Sequence, residues 1–356
     1  MDVLRNPYRG GGKFVADMPF PSVAAQRVAD LLVHCPAAAE TPLVDVTGLS
    51  PIAALWIKDE RQRMNLGSFK ALGAAYVIAR HAQDIAQQTG ASLEDQPLAV
   101  RTYVTASAGN HGLSVAAGAR VFGARAVVYI GAGVPESFAQ RLRAQGADVV
   151  REGADYAASM SAAAQAAQDN GWTLLSDSSW AGYSELPYIL MEGYVHMAAE
   201  AVAQCPDVPT HIFLQAGVGG LAGAVAAYAR HAWGDAPQII VVEPEAAPAI
   251  FQSIAQGAVV FADGPQSIMG RLDCKEPSLI ALNGLARDAD ICVTLSDETV
   301  AGHLPAMAAH GIATSASGGA GVAAVLDDEL RAQLCIDADA RVLCIVSEGP
   351  DTEAAA

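Results

Sequence analysis

The chain reads as an α/β protein built of two parallel-sheet domains, the smaller inserted in the larger. Three observations point there. Short, unbroken apolar runs alternate with Ala-rich stretches whose apolar residues fall at helical spacing, the pattern of a parallel sheet covered by helices on both faces. These runs come in two series, one from about Val100 to Ser179 and one from about Met191 to Val346. A length of 356 residues, 52% hydrophobic and 17% charged, suits one large domain or two of ordinary size with ample core.

In the first series Val104-Thr105-Ala106 leads into a helix over Gly112–Phe122, and Ala126–Ile130 is a continuous apolar strand. Pro135-Glu136 opens a helix that Gly146 closes. Asp148–Arg151 is a short strand, Ala157–Asn170 a helix and Trp172–Leu175 a further strand. The second series runs from a helix around Met191–Gln204 to the strand His211–Gln215, a Gly-rich loop and the helix Ala222–Trp233. Strands Gln238–Val242 and Arg341–Val346 complete it. The expected boundaries are 1–99 and 180–356 for the larger domain and 100–179 for the smaller. Gln87–Gln96 and Asp328–Ala340 are polar and read as surface connections.

A net charge of −17 argues against nucleic acid or an anionic membrane as the main partner. It leaves room for an anionic ligand, because backbone N–H groups act locally. There is no run of about 18 apolar residues to span a membrane, and no apolar core of a secretory signal at the N-terminus, so a cytoplasmic protein is expected. The six cysteines form no CxxC pair and the histidines no HxxxH spacing. They read as small residues of a reduced protein, without a metal site.

Three junctions that lead into helices carry chemistry. Lysine is scarce, and Lys70 follows a Gly-Ser turn at the start of an Ala-rich helical run. Its backbone is held while the amine reaches past the helix end, a position that suits a desolvated nucleophile and equally a solvated helix-start lysine. Thr105-Ala106-Ser107-Ala108-Gly109-Asn110-His111-Gly112 offers a hydroxyl, an amide and free N–H groups, either a carboxylate cradle or an ordinary capped helix. Gln215-Ala216-Gly217-Val218-Gly219-Gly220-Leu221-Ala222 suits a phosphate at a helix N-terminus, or a tight turn. Gly217-x-Gly219-x-x-Ala222 with Glu243 one strand later also fits a looser dinucleotide fingerprint. A dinucleotide would leave Lys70 and the Ser107 loop unused.

Ser-Phe-Lys at 68–70, Ser-Ala-Gly-Asn-His-Gly at 107–112 and Gly-Val-Gly-Gly-Leu at 217–221 together resemble the pyridoxal-phosphate enzymes of the tryptophan synthase β / threonine dehydratase fold type. Within that group the chain is most similar to the diaminopropionate ammonia-lyase family, through Lys58-Asp59-Glu60-Arg61, Asp177-Ser178-Ser179-Trp180-Ala181-Gly182-Tyr183, Ser267-Ile268-Met269 and Ser347-Glu348-Gly349-Pro350-Asp351-Thr352. The resemblance implies pyridoxal 5'-phosphate as cofactor, covalently held by Lys70. It implies Asn110 on the ring's 3-oxygen, Gly217, Val218, Gly219, Gly220 and Leu221 around the phosphate, and Ser347 at the pyridine nitrogen. Ser107, Gly109 and His111 would hold the substrate carboxylate, and Lys70 or Asp177 would move protons, the lysine with a lowered pKa.

The activity implied is α,β-elimination of ammonia or water from a small, 2,3-diaminopropionate-like amino acid, by a homodimer. The alternatives are a β-replacement synthase and, in another class, an NAD-binding protein built on the Gly217 loop. Three positions depart from the family pattern. Ala108 stands where an acid is expected, which implies a preference for the L isomer. Arg271 stands where small residues are expected, and could clamp a second carboxylate of a substrate such as hydroxyaspartate or an N-substituted diaminopropionate, or else face solvent or pair with Glu276. Ala316 stands where a glutamate is expected.

Overall fold

The computed structural model describes residues 1–35 and 37–350. Strands β1 (Val3–Arg5), β2 (Leu43–Asp45) and β3 (Ala54–Asp59) come first. The chain then builds a separate sheet from β4 (Thr102–Ala106), β5 (Arg125–Ile130), β6 (Ala147–Arg151) and β7 (Thr173–Leu174). It returns with β8 (His211–Gln215), β9 (Gln238–Pro244), β10 (Ile291–Leu295) and β11 (Arg341–Val346). The larger sheet has the order β1-β10-β9-β8-β11-β3-β2 and the smaller β6-β5-β4-β7. All pairs are parallel except the edges β1–β10 and β2–β3. The smaller sheet is therefore an insertion between β3 and β8.

Four strands of the larger sheet, β1, β2, β3 and β10, carry no readable signal. In β3 every residue is buried, yet Lys58 and Asp59 interrupt the apolar pattern. Lys58 is tolerated there because its Nζ reaches Glu200 at 2.7 Å and the Thr41 carbonyl at 2.6 Å. Strand β10 is buried throughout, but its Thr294 interrupts the apolar run. The expected surface connection at Asp328–Ala340 instead contains the helix Asp328–Gln333, which buries Leu330 and ties Arg331 to the Val325 carbonyl at 2.6 Å.

The helix Lys70–Thr89 lies between the two units, packed on one side against Asn110–Val121 and on the other against Glu185–Gln204. Small residues make these approaches possible. A Cβ on Gly193 would come within 2.5 Å of the Leu72 carbonyl oxygen. Among the described residues no helix is long and apolar enough to cross a membrane.

In each sheet the chain leaves one strand toward neighbours on opposite sides: β4 lies between β5 and β7, and β8 between β9 and β11. Such a switch point leaves a crevice at the carboxyl ends of the strands, where ligands of open parallel sheets bind. The Ser107 loop follows β4 and the Gly217 loop follows β8, so both cradles open at switch points.

Candidate active site

The chain approaches Lys70 through strained backbone. Met64 (φ 50°) and Asn65 (φ 58°) occupy the left-handed region, followed by Gly67 at φ 81°. Pairing with the end of β11 holds this approach in place. Ser68 bridges Glu348, the Phe69 N–H donates to the Ser347 carbonyl at 3.1 Å, and the Gly349 N–H donates to the Gly67 carbonyl at 3.3 Å.

The Lys70 Nζ donates to Asp177 Oδ2 at 2.5 Å, both side chains being mostly buried. Burial disfavours the ammonium, but the Asp177 carboxylate outweighs it and holds the amine well above its ordinary range. Burial likewise opposes the Asp177 carboxylate, and Lys70 overrides it, holding the acid well below the usual range. The lowered amine expected from the sequence is thus reversed while the pair stands. A carboxylate more than a hundred residues away supplies the charge, and no local spacing announces it.

Tyr194, which reads in the sequence as one more apolar position on its helix, lies beside this pair. Its ring centroid is 6.0 Å from Nζ and 4.8 Å from the Phe69 ring. Two glycines leave room for it: a Cβ on Gly73 would meet the ring at 2.7 Å and one on Gly220 at 3.4 Å. Its hydroxyl is buried without a hydrogen-bond partner among the described residues, a vacancy that a ligand group would satisfy.

Gly220 also begins the helix Gly220–Trp233, so Tyr194 brings the Gly217–Leu221 loop to the lysine. No side chain caps that helix, and Gly219 precedes it at φ 95°. The first N–H groups have no intrahelical acceptor and present a positive end. The loop backs closely onto its neighbour, since a Cβ on Gly217 would lie 2.9 Å from Leu272 Cα and 3.0 Å from Cys274 Sγ.

In the other cradle Ser107 serves as the cap. Its hydroxyl accepts the Gly112 N–H at 3.0 Å and the Gly109 N–H at 3.2 Å, which leaves the Asn110 side chain free of that task. The His111 ring is buried and donates from Nε2 to the Leu175 carbonyl at 2.8 Å. Burial pushes its pKa down, which favours a neutral ring, and its Nδ1 has no partner among the described residues. The imidazole therefore braces the segment that carries Asp177, a task distinct from the carboxylate holding expected of it. Tyr183 braces the same segment, accepting the Ser176 N–H at 3.0 Å and donating to the Leu174 carbonyl at 2.9 Å.

Asn110 and Arg271 meet at Glu348, to which no local sequence pattern gives a role. Glu348 is buried, accepts Asn110 Nδ2 on Oε2 at 2.5 Å, and takes both Arg271 at 2.9 Å and the Ser315 hydroxyl on Oε1. The Arg271 guanidinium, 41% exposed, thus engages Glu348, which was not among its expected partners. Ser347 is buried beside it, its N–H donating to the Gly318 carbonyl at 3.3 Å. The only sequence signal for Glu348 was its place next to Ser347 at the end of a core strand. Ala316 opens the helix Ala316–Leu326 one residue beyond Ser315.

Glu243 lies elsewhere in function. It is fully buried and accepts the N–H groups of Ile250 at 2.8 Å and Phe251 at 2.7 Å, closing the start of the helix Ala249–Gln256. Both oxygens are committed, so the acid on which a dinucleotide reading relied is not available to a ribose. Burial pushes its pKa up to about 8 against those two donors. With the folded value above the ordinary one, the associated stability is complete below about pH 4.5 and is lost as pH rises through about 8. We expect the melting temperature of Glu243→Gln, relative to the unaltered protein, to rise by several degrees between about pH 5 and pH 8. A difference that stays flat across that range would contradict the assignment.

The comparisons agree with this geometry. The family model described as pyridoxal-phosphate dependent enzyme matches residues 35–348. The diaminopropionate ammonia-lyase of Salmonella typhimurium is 33% identical over 350 residues, covering 87% of this chain and 85% of the relative. The solved diaminopropionate ammonia lyase of Escherichia coli, in complex with an aminoacrylate-PLP azomethine reaction intermediate, is 29% identical with a TM-score of 0.85, covering 99% of this chain and 94% of that one. The processed form of threonine deaminase isoform 2 from Solanum lycopersicum shares the fold, with a TM-score of 0.79 at 19% identity over 99% of this chain and 94% of that one. With sequence and fold matched over most of its length, this chain belongs to the pyridoxal-phosphate dependent enzyme family.

Proposed function

We propose that the protein catalyses α,β-elimination from a small β-amino-substituted amino acid of the 2,3-diaminopropionate type, releasing a 2-oxo acid and ammonia. The observation that carries this reading is the Lys70–Asp177 contact at 2.5 Å, set between the two cradles. The site fits the cofactor on two counts: an uncapped helix start at Gly220 for a phosphate, and the unpartnered Tyr194 hydroxyl beside the lysine. When bound, pyridoxal phosphate supplies an electron sink for the bond broken at the substrate's α-carbon.

The chain's own residues do the rest. The Gly217–Leu221 loop would hold the phosphate, Asn110 the ring's 3-oxygen and Ser347 the pyridine nitrogen. The N–H groups around Gly109 and His111, with the loop shaped by Ser107, orient the substrate carboxylate. Lys70 and Asp177 stand within hydrogen-bond reach, so a proton taken from the α-carbon stays in the site. Asp177 then keeps a proton near the departing amine, which leaves poorly without one. The immediate product hydrolyses to pyruvate and ammonia. We place this enzyme in the cytoplasm as a homodimer; a monomer in sedimentation would remove the second part.

The test is pyruvate release from each enantiomer of 2,3-diaminopropionate with no second substrate present. Release from the L isomer is expected, at a rate about a hundredfold or more above the D isomer, because Ala108 leaves the second cradle without an acid. No release without an added nucleophile would point to β-replacement. Equal rates on both enantiomers would refute the stereochemical part alone.

A further inference from the structure

Four separate segments of the chain converge on one buried carboxylate. Glu348 continues from β11, Asn110 starts the helix after β4, Ser315 caps the helix Ala316–Leu326, and Arg271 lies in the loop that packs behind Gly217. Both Glu348 oxygens act as acceptors, Oε2 for the Asn110 amide and Oε1 for Arg271 and Ser315.

An asparagine amide has two faces of opposite character, one accepting through its oxygen and one donating through nitrogen. A carboxylate oxygen only accepts, so Asn110 must turn its Nδ2 toward Glu348. One of the two Nδ2 hydrogens is used there, and the second has no protein partner among the described residues. From this we propose that Glu348 is a positioning residue: it fixes the Asn110 amide so that a nitrogen-bound hydrogen, and not the amide oxygen, is offered to the ring's 3-oxygen. Arg271 keeps the buried carboxylate paired, so the arrangement carries no uncompensated charge. The proposal rests on the cofactor reading above.

The chemistry makes it measurable. An N–H donor stabilises the ionised 3-oxygen, whereas an amide oxygen facing it favours the protonated hydroxyl. These two forms of the bound cofactor absorb at longer and shorter wavelength, respectively. In Glu348→Gln the facing group can donate as well as accept, so the Asn110 amide is free to turn over. We expect the holoenzyme variant to retain cofactor while its ratio of long- to short-wavelength absorbance, at one fixed pH, falls about fivefold, the population change matching one hydrogen bond.

The same substitution in an Asn110→Ala background should produce no further change, because Glu348 acts through Asn110. If Glu348→Gln does not accumulate, Glu348→Asp replaces it: the charge stays, the reach shortens and the same fall is expected. A spectrum that superimposes on the unaltered holoenzyme overturns the proposal, even if the variant melts earlier. So does a shift of equal size with Asn110 removed. A parent protein that stays colourless with added pyridoxal phosphate overturns the cofactor reading itself, a separate outcome from either.

Discussion

Lys70→Ala loses the visible absorption band that borohydride abolishes in the parent, and its elimination rate falls roughly 10³- to 10⁴-fold. Two separate losses combine in this variant. On the proposed assignment the covalent anchor for the cofactor disappears, and so does one member of the proton-moving pair. A third effect appears in the cofactor-free protein. Asp177 is held in its charged form by Lys70 against the cost of burial, so removing the amine leaves a buried carboxylate without its cation. The variant should therefore take up a proton at Asp177 at higher pH than the parent does. A Lys70→Ala protein that keeps a borohydride-sensitive band would sink the assignment of Lys70.

Asp177→Ala should separate binding from turnover. The cradles and the lysine remain, so cofactor still binds and colours the protein, while elimination slows by about 10² to 10⁴. The pH dependence of cofactor uptake provides a second readout. Cofactor reacts with the neutral amine, and in the parent Asp177 holds Lys70 protonated well into alkaline pH. Without the carboxylate, the chief opposition to burial is gone and the amine gives up its proton more readily. The pH at which uptake is half-maximal should move down in Asp177→Ala. An unchanged midpoint would mean that the contact does not govern the amine.

What the sequence disclosed was mostly local, and what it concealed was mostly long-range. Strands His211–Gln215 and Arg341–Val346 read directly as apolar runs between helices, and the three junction motifs stand out because glycine, serine and a rare lysine interrupt Ala-rich text. Strand β3 was hidden because its Lys58 is neutralised by Glu200, a partner far along the chain. Tyr194 was hidden because a tyrosine on a helix face looks like core until Gly73 and Gly220 are seen cut away around its ring. Arg271 could be recognised as unusual, but whether it faced solvent, substrate or another residue depended on Glu348, which no spacing connects to it. The raised state of the Lys70 amine had the same origin: electrostatics between distant segments outweighed the local prospect of desolvation.

The position of β11 has a consequence for how this enzyme is made. The last described strand lies inside the larger sheet, flanked by β8 and β3, and its far end pins the approach to Lys70 through Ser68, Phe69 and Gly67. During synthesis the β8-β9-β10 half and the β2-β3 half must wait, each with an open edge, for a strand that emerges only after them. Lys70 leaves the ribosome before β11 but gains its final backbone pairing only with it. Cofactor capture thus reports completion of the whole sheet, and a nascent chain stalled before Arg341 should gain no colour however long it waits.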